Sequence, residues 1–181
     1  WWWTVDKWTL VALLALAAMG VVLAMAASPP VAERIGLDPL HFVQRQAVYL
    51  PMAVVIMLGV SLMSPVGARR LAIVVFLGAV VLLIMTLAVG TEIKGARRWL
   101  NLSGFSLQPS EFVKPALAVV CAWMFAAKRL GAEIPGNLIS FCLYALVAAL
   151  LLLQPDVGQA LVVSAVWFSQ WFLAGLPMIW V

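Results

Sequence analysis

A chain of 181 residues that is 66% apolar and 10% charged, with a formal net charge of +4, is not an ordinary soluble domain, where charged residues make up about a quarter. The positive excess sits in short segments between apolar runs, which excludes a nucleic-acid-binding face. The runs recur to the last residue, which excludes a soluble protein behind one secretory signal, so the chain reads as a multi-pass membrane protein.

Segments able to cross about 30 Å of hydrocarbon at about 1.5 Å per residue are predicted at 8–28, 42–63, 71–90, 109–127, 137–153 and 157–173. Backbone polar groups must be satisfied inside the bilayer, and no segment shows the alternation of an outer-membrane barrel strand. The expected fold is therefore all-α, a polytopic transmembrane helical bundle of about six helices. It forms a single integral membrane domain over 1–181, without internal repeats. The predicted linkers are 29–41, 64–70, 91–108, 128–136 and the break at 154–156. The chain begins at Trp1 and stops at Val181 inside an apolar run, which leads us to expect the N-terminal part of a longer polypeptide.

Trp1, Trp2, Trp3 and Trp8 cluster at the start of the first span, and Trp167, Trp171 and Trp180 lie in or beyond the last, as aromatic belts do. His41, beside Phe42, opens the second span and reads as an interfacial residue. Cys121 and Cys142 fall within spans, lack metal-ligand spacing and read as small core hydrophobes. Lys and Arg do not decide the topology. Lys7, Arg69, Arg70, Lys128 and Arg129 fall on one side, and Arg34, Arg45, Lys94, Arg97 and Arg98 on the other.

Three polar stretches interrupt the apolar pattern. In 91–108, Lys94, Arg97 and Arg98 outweigh Glu92, and Arg97-Arg98-Trp99 puts two guanidiniums beside an indole. Guanidinium forks bind phosphate oxygens and indole sits at headgroup depth. The segment suits either a phosphate-bearing ligand or anionic lipid headgroups. Next, Pro109 fits the first turn of a helix that places Glu111 near its positive end, with Lys114 three residues on and within pairing reach. Ionisable groups at that depth are paired or face a polar cavity. Last, Gln154-Pro155-Asp156 breaks two apolar spans. Asp156 can cap the following helix, with Gln159 completing a capping box. With six spans, all three stretches fall at one membrane face.

These residues carry a resemblance. Lys94-Gly-Ala-Arg-Arg-Trp99, then Phe105-Ser-Leu-Gln-Pro-Ser-Glu-Phe-Val-Lys114, then Gln154-Pro-Asp-Val-Gly158 together resemble the ordered signatures of the SEDS proteins (shape, elongation, division and sporulation). Arg45-Gln46 and the N-terminal region look more like the division branch than the elongation branch. The resemblance implies a ten-helix peptidoglycan glycosyltransferase of the bacterial inner membrane, at the division septum, with 91–108 and 154–156 facing the periplasm. It implies lipid II as substrate, an undecaprenyl-pyrophosphate-linked glycan, and a class B penicillin-binding transpeptidase and other division proteins as partners. By match of motif, Lys94, Arg97, Arg98, Trp99, Glu111, Lys114 and Asp156 line the substrate cavity, Glu111 and Lys114 as a buried pair. The family's catalytic aspartate falls after the seventh helix, beyond Val181, so no general base is assigned. The family allows a divalent cation, for which this sequence shows no ligand cluster. A lipid II transporter, an elongation-type polymerase and a division scaffold are the alternatives.

Overall fold

The computed structural model describes residues 5–36, 38–93, 96–102 and 105–175; Trp1, Trp2, Trp3, Lys94 and Trp180 lie outside them. The chain forms two compact units that divide between Ser64 and Pro65.

The first unit is a helical hairpin of α1 (Lys7–Arg34) and α2 (His41–Ser61). Asp6 caps α1, accepting from Trp8 N–H at 3.1 Å and from the Thr9 hydroxyl. The Thr9 bond, then the Trp8 bond, hold its carboxyl below the usual value. The start of α1 and the end of α2 share a groove lined by Thr9, Leu13, Met57 and Ser61, and at the other end the Ser28 hydroxyl donates to Pro39 C=O at 2.8 Å. The two helices are thus antiparallel. Among the described residues of this unit only Ser28 and Ala32 are buried, as for a hairpin whose apolar surface faces lipid. His41 meets the Phe42 ring edge-on at 5.4 Å. One boundary differs from expectation. Pro29 and Pro30 lie inside α1 rather than opening the linker. Each removes a helical N–H donor, and the helix persists because Ser28 is tied down and Ala32 is 0% exposed.

The second unit contains α3 (Pro65–Val89), three short strands β1 (Thr91–Ile93), β2 (Ala96–Leu102) and β3 (Phe105–Leu107), then α4 (Ser110–Arg129), α5 (Gly136–Leu153) and α6 (Val157–Leu173). Pro65 opens α3 as its first residue, a position that needs no N–H donor. Arg69 and Arg70 therefore sit on the helix and not in a linker, as Lys128 and Arg129 do at the end of α4, where cations suit the negative end of the dipole. Among the described residues, five helices are long and apolar enough to cross a membrane. With 17 residues, α6 rises only about 26 Å.

Helix α4 is the centre of the unit. Its buried residues Val113, Leu117, Cys121 and Phe125 recur every four positions, the stripe expected of a helix packed on its neighbours. Phe76 and Leu83 of α3, Val147 and Leu151 of α5, and Val163 and Trp167 of α6 complete the core. Between membrane helices this core gains contact and hydrogen bonds rather than hydrophobic transfer. Trp167 stacks on Tyr144 at 4.6 Å and donates its indole N–H to Ser140 Oγ at 2.8 Å. Gln154, 2% exposed, donates to Leu83 C=O at 2.9 Å. A Cβ added at Gly136 would lie 2.3 Å from Met124 C=O, so only glycine lets α5 start this close to α4. Cys121 is buried in the core, whereas Cys142 is exposed, because it falls on the opposite side of α5 from Ser140 and Val147.

The strands are an addition to the all-α expectation: 91–108 forms a three-stranded antiparallel sheet in the order β1-β2-β3. Sequence reading passed over it because its apolar alternation is confined to one short strand. In β2, Leu100 is buried, while Arg97 and Asn101 are exposed. Adjacent strand residues point to opposite faces, so Arg98 shares the inward face with Leu100.

Candidate functional site

The sheet, the start of α4 and the α5–α6 break meet at one end of the second unit. Two polar nodes form there.

The first joins residues far apart in sequence. Arg98 donates from Nη2 to Pro155 C=O at 2.9 Å, and its Nε lies 3.6 Å from Asp156 Oδ2. The Asp156 side chain is 5% exposed and that of Arg98 40%. This corrects the capping box. Asp156 occupies the position before α6, and its backbone C=O accepts from Ala160 N–H at 3.0 Å, but its side chain makes no capping bond. A nearby guanidinium attracts a buried carboxylate more strongly than a neutral N–H does.

The second node is a closed triangle. Lys114 Nζ donates to Glu111 Oε1 at 2.9 Å and to Gln159 Oε1 at 2.8 Å, and Gln159 Nε2 donates to the same Glu111 oxygen at 3.1 Å. The pair forms at the spacing expected for one helix face. It is only half-buried, with side-chain exposures of 22% for Lys114 and 53% for Glu111. The reason is angular: Lys114 follows buried Ser110 by one turn, whereas Glu111 is rotated about 100° from it. Glu111 in the first turn also suits the positive end of α4.

Arg97 is exposed and Trp99 half-buried on the outward side of β2, so the alternating strand separates them from the Arg98 node. Gln159 and the Pro155 carbonyl are the participants that sequence reasoning missed. Gln159 stood out as an amide in the first turn of a largely apolar helix but was read only as a capping partner of Asp156. Arg98 Nε, Asp156 Oδ2 and Ser110 Oγ are buried without a hydrogen-bond partner among the described residues. Buried polar atoms left in this state are costly and rare in structures. Among the described residues no three His, Cys, Asp or Glu side chains are grouped to hold a metal ion.

Residues 7–181 match the family model FTSW_RODA_SPOVE, described as cell cycle protein. The chain belongs to this family. Among its curated relatives, the probable peptidoglycan glycosyltransferase FtsW of Caulobacter vibrioides is 44% identical over 182 residues, a match covering 100% of this chain and 47% of the relative. That of Escherichia coli O6:H1 is 34% identical over 178 residues, covering 96% and 42%. The chain therefore spans less than half the length of these relatives. Among solved structures, the rod shape determining protein RodA of Thermus thermophilus superposes with a TM-score of 0.75 at 34% identity, over 97% of this chain and 56% of that one. A structure described as the structural coordination of polymerization and crosslinking by a peptidoglycan synthase complex gives 0.77 at 31% identity, over 97% and 50%. Family and helices together make this a polytopic helical membrane protein.

Proposed function

We propose that the intact protein is a peptidoglycan glycosyltransferase that polymerises lipid II into glycan strands during cell division. It acts in the inner membrane at the septum, with a class B penicillin-binding transpeptidase and other division proteins. Relatives named as such glycosyltransferases align along the chain, and a similar structure is described as coordinating polymerization with crosslinking. The single observation that carries the reading is the pair of held cations at one end of the bundle, Arg98 and Lys114, each fixed by a carboxylate and a second acceptor.

The chemistry follows from the charge that develops. When the sugar bond to an undecaprenyl pyrophosphate breaks, the pyrophosphate takes up negative charge. Preorganised cations stabilise that charge without reorganising as it forms. Asp156 and the Pro155 carbonyl set the orientation of Arg98. Glu111 and Gln159 set that of Lys114, whose ammonium keeps donor capacity for phosphate oxygens. Arg97 and Trp99, on the outward side of β2, suit contacts with the lipid-linked glycan at the membrane surface. Proton transfer from the attacking hydroxyl is assigned to no residue of this chain.

The test is lipid II polymerisation by the intact protein with its transpeptidase partner, at matched folded amounts of Arg98→Ala, Glu111→Gln and Lys114→Met. We expect Lys114→Met to lose about 100-fold or more in glycan synthesis while retaining lipid II binding, the scale of removing one preorganised donor. Full activity in all three variants would refute a role for these nodes in catalysis. Loss of lipid II transfer across the membrane, with polymer synthesis intact, would favour a transporter.

A further inference from the structure

The three buried polar atoms left over beneath the sheet, Arg98 Nε, Asp156 Oδ2 and Ser110 Oγ, have complementary needs. Ser110 is 2% exposed and the Asp156 side chain 5%. The Arg98 side chain is 40% exposed overall, yet its Nε is buried. Bulk solvent therefore does not supply the missing bonds. Arg98 Nε and Asp156 Oδ2 lie 3.6 Å apart, beyond the roughly 2.7–3.2 Å of a direct N–H···O bond.

Helix register brings Ser110 to the same place. The bond from Lys114 to Gln159 at 2.8 Å fixes α4 against α6, and both helices start at the sheet end and run the same way. Ser110 lies four residues before Lys114, a rise of about 6 Å, and Asp156 three residues before Gln159, about 4.5 Å. At these spacings the members of each pair share a helix face. Ser110 and Asp156 thus stand at nearly one level, a turn closer to the sheet than the Lys114–Gln159 bond. The neighbouring polar groups are already committed: the Pro155 carbonyl to Arg98 Nη2, and the Lys114 ammonium to Glu111 and Gln159.

The donor and acceptor inventory selects the occupant. An arginine Nε–H only donates, a carboxylate oxygen only accepts, and a serine hydroxyl does either. A metal ion cannot accept from Nε–H, and an anion would meet the Asp156 carboxylate. The occupant must both accept and donate. A substrate hydroxyl has that chemistry, but atoms closed to solvent are closed to a bulky substrate as well. We propose that one internal water is bound between Arg98 Nε, Asp156 Oδ2 and Ser110 Oγ. It accepts from the guanidinium, donates to the carboxylate and shares its third bond with the hydroxyl, the about three bonds typical of a buried water. Ser110 then ties the start of α4, which carries Glu111 and Lys114, to the Arg98–Asp156 node. The site does not depend on the proposed polymerase activity.

The experiment is a density map of the intact protein in lipid nanodiscs, at a resolution where ordered waters are visible. Unfolding is followed in the same lipid for Ser110→Ala, Asp156→Asn and the double variant. The map of the unaltered protein should show one water within hydrogen-bond reach of all three atoms. Ser110→Thr, which keeps the hydroxyl, should retain that water, and Ser110→Ala should lose it. The unfolding constant of the double variant should be about tenfold smaller than the product of the single changes predicts, as for residues in one network. A direct Ser110–Asp156 bond, or no water at this position in the unaltered protein, would overturn the proposal whether or not the variants fold. Single effects that combine to within about twofold would also overturn it, placing Ser110 outside the network.

Discussion

The two ends of the α3–α6 unit both carry cations and treat them in opposite ways. At the sheet end Arg98 and Lys114 are each locked between a carboxylate and a neutral acceptor. At the other end Arg69, Arg70 and Lys128 have no carboxylate partner among the described residues. A locked cation has already lost its rotamer freedom and part of its hydration, which suits it to charge that appears in one place during a reaction. Arg70 and Lys128 are exposed and keep their reach, while Arg69 is held by the Pro65 carbonyl and the Trp123 ring and not by a carboxylate. What distinguishes the two ends is the supply of carboxylate acceptors.

The comparison breaks most severely if a held cation is removed. Lys114→Met should have the largest effect, the loss of glycan synthesis described above. Arg98→Ala comes next. It leaves Asp156 buried without its cation, and unfolding in lipid should show a loss of about 2 kcal/mol, below the 3–5 of a fully buried pair because Arg98 is partly exposed. Asp156→Asn introduced into that variant should recover part of the loss, and no recovery would mean that the carboxylate is not the strained group. Gly136→Ala probes the tight spot near the basic end. Its Cβ would overlap the Met124 carbonyl, so α5 must shift, at a cost of about 1–3 kcal/mol read from the same unfolding transition. The smallest stability effect belongs to Glu111→Gln, below about 1 kcal/mol, since exposed pairs contribute little and Gln159 still holds Lys114. A larger drop would show that the triangle is screened from water more than its exposure indicates.

What was legible in the sequence is what local spacing controls. The six helical runs stand out because their length and apolarity are local properties, and α6 has the bounds expected of it. Glu111 and Lys114 pair because three residues on a helix bring side chains together in any context. The Arg98–Asp156 contact was hidden, since it joins residues 58 positions apart through a sheet whose strands are only 3, 7 and 3 residues long. Asp156 and Gln159 were assigned to each other by a sound local rule. Tertiary partners, Arg98 for one and Lys114 with Glu111 for the other, outcompeted it. The same override carries α1 through Pro29 and Pro30, where composition alone ends the helix.

The alternation along β2 gives the small sheet the role of a selector. Arg97 and Arg98 are chemically identical neighbours, and only the strand's pairing with β1 and β3 decides which one turns towards Asp156. A slip of one residue would exchange them and turn Leu100 outward. The same polypeptide composition would then present a different charge to the bundle. Deleting or inserting a single residue between β1 and β2 therefore amounts to a change of sequence at the site, although no residue at the site has been altered.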